Sequence, residues 1–179
     1  MKIHIFGASG SGTTTLANEL ADKLNYVHLD ADEYYWRKTN PPFQEKIPLS
    51  ERSNTLQLDF QKNVNVIVSG SLVTWGDYWV SAFDLAIFLL IPSEVRMRRL
   101  SKREQERYGD QLINDHTIAD NSQAFLEWAR KYDDPSFDGR SIKQHQDWIK
   151  KLTCKTLKIT GDTSIEKRIQ LVRESIKKG

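Results

Sequence analysis

Apolar residues along the chain follow two rhythms. Short runs rich in β-branched and aromatic residues occupy 3–6, 26–29, 64–68, 83–91 and 156–159. Between them, apolar positions recur every three to four residues, the period of a helix buried along one side. Residues 13–24 place Leu16, Leu20 and Leu24 on one face, and 50–62 place Leu56 and Phe60. Residues 122–132 do the same with Phe125, Trp128 and Tyr132, and 141–151 with Ile142, Trp148 and Ile149. Further helices are predicted over 94–107 and 164–176, with Ser50 and Ser93 as caps. The runs at 64–68 and 83–91 are continuously apolar, as parallel strands covered on both faces are. Strands that alternate with helices predict an α/β fold, a five-stranded parallel sheet between helices. Pro41, Pro42 and Pro48 mark 39–49 as a loop, and the aperiodic polar stretch 111–121 suits a mobile flap.

Charge changes this picture at one helix. Arg96, Arg99, Arg103 and Arg107 fall in one stripe at helical spacing. Glu94 with Arg98, and Lys102 with Glu106, fit local i,i+4 ion pairs. Arg96 and Arg99 have no acid four residues away in either direction, so an external anion such as phosphate is their expected partner. The 179 residues suit one domain, 1–179, in which 93–135 form an Arg-bearing helix and lid. The net charge of +2 carries no bias towards nucleic acid, and no concentrated DNA-reading element is present. A lone cysteine, Cys154, excludes an internal disulfide and every Cys-based zinc site. No stretch reaches the roughly 20 apolar residues of a membrane span. The first residues form a strand rather than a signal peptide, and a cytoplasmic location is expected. His4, His28 and His145 have the setting of packed side chains, His145 at the surface beside Trp148; His116, in the flap, has no assignable role.

The chemistry is concentrated near the start. The first strand stops at Gly7, and Gly7-Ala8-Ser9-Gly10-Ser11-Gly12 leads into a helix opened by Thr13-Thr14-Thr15. Strand, Gly-rich loop and helix are the context of a phosphate-binding P-loop, whose backbone N–H groups and helix dipole attract phosphate. The spacing fits the Walker A pattern except that Thr13 stands where the pattern has Lys. Residues Gly7 through Thr15 are thus the expected nucleotide site, with the Thr14 hydroxyl directed to Mg²⁺. Asp30 and Asp32 follow the second strand, at the sheet edge where open α/β folds bind ligands, and either can serve a substrate hydroxyl or a metal-bound water. The alternative is that Asp32 caps a helix starting at Glu33. Arg52, in the first turn of its helix, opposes the dipole, which makes it a candidate for substrate phosphate. The third strand ends in Ser69-Gly70, where a Walker B strand commonly carries Asp, and Gly70 implies close approach of a ligand or of the phosphate loop.

In this order these features resemble P-loop kinases of the group that includes adenylate, cytidylate and shikimate kinases. The segments Val68-Ser69-Gly70-Ser71-Leu72, Arg103-Glu104, Arg107-Tyr108-Gly109, Phe125-Leu126-Glu127-Trp128-Ala129 and Tyr132-Asp133 are similar to bacterial proteins labelled topology modulation protein or adenylate kinase-like. The resemblance implies ATP and Mg²⁺ as cofactors and transfer of a phosphoryl group to a small acceptor. Arg96, Arg99 and Arg103 would close over that group, and Asp32 would orient or deprotonate the acceptor with Asp30 behind it. A nucleoside monophosphate is the preferred acceptor, with Arg37 and Arg52 for its phosphate and Gly70 beside it. A shikimate kinase-like metabolite kinase is one alternative. The non-standard Thr13 and Ser69 support another, a nucleotide-binding regulator with little turnover.

Overall fold

The computed structural model describes residues 1–177. Five strands run parallel: β1 (Lys2–Gly7), β2 (Val27–Asp30), β3 (Val66–Ser69), β4 (Leu85–Leu90) and β5 (Lys155–Thr160). They lie in the order β2-β3-β1-β4-β5. The order reverses its direction of growth after β1, so the loop leaving β1 opens between β3 and β4, where such sheets bind ligands. The helices between them are α1 (Thr13–Leu24), α2 (Ala31–Tyr35), α3 (Leu49–Lys62), α4 (Ser93–Tyr108), α5 (Gln111–Asn114), α6 (His116–Arg130), α7 (Ile142–Lys151) and α8 (Ile165–Lys177).

The sheet divides the core in two. On one face Leu16, Leu20, Ile169 and Val172 of α1 and α8 cover Ile3, Ile5 and Ile87. On the other, Leu56 and Phe60 of α3, Trp79 and Trp148 of α7 cover Phe6, Val68 and Phe88. The alternation of strand side chains sends odd β1 residues to the aliphatic side and even ones to the aromatic side. His4 belongs to the aromatic set and lies stacked between Phe6 and Phe83, with ring centroids 4.7 and 4.8 Å away.

Several local expectations need correction. Residues 111–121, expected to be aperiodic, are helical on both sides of Asp115, because the Asp115 carboxylate accepts from the Thr117 and Ile118 amides and starts α6 there. Asp30, not Asp32, caps α2, accepting the Asp32 amide at 3.1 Å. Neither α3 nor α4 has a side-chain cap: Pro48 and Pro92 precede them, and Ser50 and Ser93 lie inside. Val64 is 81% exposed and lies outside β3. His145 is fully buried rather than at the surface. Glu94 makes no ion pair with Arg98, which reaches Asp162 at 4.0 Å instead.

Candidate active site

The loop between β1 and α1 is shaped by its glycines and by what lies behind it. A Cβ on Gly10, whose φ is +79°, would meet the Arg96 carbonyl at 2.8 Å, so the loop lies directly on the first turn of α4. Gly12, with φ +86°, is the N-cap residue of α1 and supplies no side-chain cap. The first amides of α1 therefore have no side-chain partner and are free for an anion, as helix N-termini that hold phosphate are. Thr13, Thr14 and Thr15 line a cavity of about 210 Å³ together with the loop, Asp32, Gly70, Ser71, Arg99, Arg103 and Arg140.

Two side chains grip the loop from behind. Arg168 of α8 is 4% exposed; its Nη1 donates to the Ser11 carbonyl at 3.0 Å and its Nε to the Thr163 hydroxyl at 3.1 Å. Arg99 donates to the Gly10 carbonyl at 3.4 Å and to the Asp162 carboxylate. Arg168 lies 3.8 Å from that same carboxylate. Burial and the charge of Arg99 lower the pKa of Arg168, while Asp162 opposes them. Arg99, Arg168 and Asp162 also border a second opening of about 540 Å³ beside Gly12 and Thr15.

Asp32 and Arg103 connect the loop cavity to a larger one of about 610 Å³, lined among others by Asp30, Trp36, Phe43, Arg107 and Phe125. The larger cavity is closed from above by the 39–49 loop, where Phe43 lies 4.5 Å from the Arg107 guanidinium and Gln44 accepts from Asn121 at 3.4 Å. Asp32 stays solvent-accessible at the cleft, and the surrounding protein nevertheless raises its pKa. The Asp30 charge adds to the rise, and Arg140, Arg103 and Arg107 oppose it. Burial and Arg107 lower the pKa of Arg103, against Glu104 and Asp32. The Thr14 hydroxyl donates to Asp30 at 2.9 Å. Thr14, Asp30 and Asp32 thus present hard oxygen donors at one point, a set that fits Mg²⁺ held by one or two carboxylates together with substrate phosphates. No cluster of three or more His, Cys, Asp or Glu side chains that could cage a metal occurs among the described residues.

The expected arginines separate by their partners. Arg96 is fully buried, donates to the Ile91 carbonyl, pairs with Asp133 and lies over Tyr132. It borders neither cavity, so its assignment to phosphate is corrected: an acid distant in sequence neutralises it. Arg37 is also corrected, since it points outward to Glu45 and Glu51. Arg52 stacks on Tyr35 at 4.0 Å and Trp75 at 5.0 Å, and borders a fourth cavity of about 260 Å³ shared with Ser71 and Arg140. Gly70, with φ +100°, is approached by Ala31 of α2, 3.0 Å from its notional Cβ, and not by the phosphate loop. Ser69 is buried and bonds His28, which in turn bonds Asn18.

Arg140, Arg168 and Ser71 were not expected. Arg140 lies in irregular chain before α7, where no periodic signal exists, and stacks over Trp128 at 5.5 Å. Arg168 did leave a signal: it is a charge on the apolar face formed by Ile165, Ile169 and Val172.

A parallel sheet with a glycine loop at its switch point, uncapped helix amides and converging arginines defines a P-loop protein of the nucleotide-kinase type. The chain belongs to the AAA domain family, whose pattern matches residues 3–124, and within the P-loop proteins it is of adenylate kinase-like type. An uncharacterized protein of Bacillus subtilis, YqaC, is 41% identical over 170 residues, 95% of this chain and 94% of that one. Cytidylate kinase of Archaeoglobus fulgidus is 30% identical over 120 residues, 58% of this chain and 62% of that protein. Shikimate kinase from Bacteroides thetaiotaomicron shares the fold, with a TM-score of 0.59 at 18% identity over 99% of this chain and 98% of that one. The family and these similarities support ATP-dependent phosphoryl transfer in general.

Proposed function

We propose that the protein transfers the γ-phosphoryl group of ATP to a small acceptor, with a nucleoside monophosphate as the first candidate. The observation that carries this reading is the sharing of Asp32 and Arg103 between the phosphate-loop cavity and the 610 Å³ cavity. An acceptor in the larger space meets the donor phosphates at those two side chains. The amides of Gly7 to Thr15 cradle the donor phosphates, and the opening beside Arg99 and Thr163 takes the donor base. Mg²⁺, when bound at Thr14 and Asp30, neutralises charge on the phosphates. Arg99 and Arg103 spread the charge of the transferring group, and an arginine in that role is worth about 10³ or more in rate. Trp36, Phe43 and Phe125 offer faces for stacking a base. Residues 93–135 act as the lid that keeps water from the reacting phosphate.

One observation favours a second acceptor class. A carboxyl group with a raised pKa is suited to accept a proton from a hydroxyl. Arg52 and Arg140, neither within ion-pair distance of a carboxylate among the described residues, suit the anionic group of a hydroxy acid. The purified protein is incubated with ATP and Mg²⁺, first alone and then with nucleoside monophosphates and small hydroxy acids, and ADP is measured. The kinase reading expects one class to raise ADP formation well above the rate without acceptor. Tight ATP binding with no acceptor effect refutes it and leaves a nucleotide-binding regulator.

A further inference from the structure

Where β3 ends, the chain turns through Gly70 to Ser71, and a short hydrogen-bonded chain meets it from below. The Ser71 hydroxyl lies 3.0 Å from His145 Nε2, and His145 Nδ1 lies 2.7 Å from the Tyr132 hydroxyl. His145 is fully buried and Tyr132 is 3% exposed. Burial holds the imidazole pKa down to about 3, so the ring is neutral and carries one N–H.

The direction of this chain follows from counting protons. The Tyr132 hydroxyl has no other hydrogen-bond partner among the described residues. If Nδ1 carried the imidazole proton and donated to Tyr132, the phenolic proton would be left buried and unpaired, at a cost of about 1–3 kcal/mol. If Tyr132 instead donates to Nδ1, then Nε2–H donates to the Ser71 oxygen. Every buried group is then satisfied, and the one proton left over is that of Ser71. Ser71 is also the member that borders open space, lining both the phosphate-loop cavity and the Arg52 cavity beside Arg140.

We infer that Ser71 is a substrate-binding residue whose hydroxyl is fixed as a hydrogen-bond donor to an oxyanion of the acceptor, phosphate or carboxylate, with Arg140 beside it. Tyr132 and His145 are positioning residues that set the direction of the donor. The inference rests on the proposed acceptor site for its ligand, but the direction of the chain does not. A serine free to rotate can donate or accept; one that already accepts from His145 offers its proton outward and favours oxyanions over amines.

The test has two independent parts. Nitrogen-15 NMR of the imidazoles in the free, full-length protein reads the His145 tautomer. The expected result is a protonated Nε2 and a bare Nδ1, with Tyr132→Phe moving the signals towards a tautomer mixture. A protonated Nδ1 in the unaltered protein overturns the inference. Calorimetry in the presence of a non-hydrolysable ATP analogue then measures binding of cytidine 5′-monophosphate and of shikimate as phosphate and carboxylate probes. Ser71→Ala is expected to weaken whichever probe binds by about tenfold, and Ser71→Thr to restore it, the loss of one charge-assisted hydrogen bond. Equal affinity in Ser71→Ala and the unaltered protein overturns the binding role. Failure of both probes to bind the unaltered protein overturns the ligand assignment, while the tautomer result separately decides the direction of the chain.

Discussion

Two buried imidazoles lie under the segment that leaves β3, and they set the response of the fold to acid. His4 Nε2 donates to the Gly70 carbonyl at 2.9 Å, and His145 bonds Ser71, so both support the floor of the site. Burial holds their pKa values down to about 4 and about 3, against the usual 6.5. A histidine with a depressed folded pKa stabilises the fold above its unfolded value. As the pH falls below 6.5, the unfolded chain takes up a proton that the folded chain refuses, and the stability is lost. Each group costs about 1.4 kcal/mol per pH unit, so the pair removes roughly 5 kcal/mol between about pH 6.5 and 4.5. That is comparable to the whole stability of a marginal domain, about 5–15 kcal/mol. His28, half-buried, also has a lowered pKa, its burial opposed by Asp30 and Glu33, and adds to the same loss. The remaining shifted groups act elsewhere or in the opposite sense. Asp59, Asp134, Asp147 and Glu166 have lowered pKa values, and their contributions fade only below the unfolded carboxylate range. Asp32, with a raised pKa, becomes less unfavourable as it is protonated.

The measurement is urea unfolding followed by tryptophan fluorescence, in steps of about one pH unit from about 7.5 to 4.5. Trp148 meets His4 edge-on at 6.5 Å and reports on that site. His4→Phe keeps a ring in the stack and gives up the bond to Gly70, at about 1 kcal/mol. It is expected to be less stable at neutral pH and to show a slope of stability against pH reduced by roughly a third to a half. A flat profile down to about pH 5, or an unchanged slope in His4→Phe, refutes the reasoning.

Three further outcomes are expected. Arg168→Met keeps the buried stem but removes the donors to Ser11 and Thr163; ATP affinity measured by calorimetry falls about tenfold, the worth of one charge-assisted bond, and an unchanged affinity returns Arg168 to packing alone. Asp32→Asn lowers turnover about a hundredfold or more with ATP affinity kept; unchanged turnover removes Asp32 from the reaction. Thr13→Lys restores the usual P-loop residue yet gains less than about tenfold in kcat, and a far larger gain shows the natural loop to be short of charge.

What the sequence disclosed, and what it withheld, differ in physical range. Strand β4, helix α1 and the phosphate loop are local: a run of β-branched residues, an apolar stripe and glycine spacing each determine their own backbone. The parallel sheet followed because alternation of such elements leaves few topologies. Residues 111–121 misled because α5 and α6 begin with Gln111-Leu112-Ile113-Asn114-Asp115, where the cap supplies the stability and periodicity does not. Arg96 misled for another reason. Its partner Asp133 is 37 residues away, and a count of acids within four positions cannot register it. The same count, applied to the folded chain, sorts the arginines properly. Arg37, Arg96, Arg99 and Arg107 have acids of their own. Arg52, Arg103 and Arg140 border the cavities and have none within ion-pair distance among the described residues. Judged in three dimensions, an unpaired cation bordering a cavity is the better candidate for an external anion.

The substitution at Thr13 can then be weighed as a matter of net charge near the loop. A P-loop lysine adds one positive charge beside the donor phosphates. Here Arg99 and Arg168 touch the carbonyls of Gly10 and Ser11, and both share the carboxylate of Asp162. Arg98 also lies 4.0 Å from that carboxylate, so three guanidiniums anchored on α4 and α8 share one carboxylate and leave net positive charge beside the loop. Arg168 acts on phosphate through the loop's own dipoles, while Arg99 also lines the phosphate-loop cavity beside Thr13. Arg103 and Arg140 line the same cavity. Under the proposed function, the donor phosphates meet positive charge fixed by Arg99 and Arg168 on the loop, and Arg103 and Arg140 add theirs from the acceptor side.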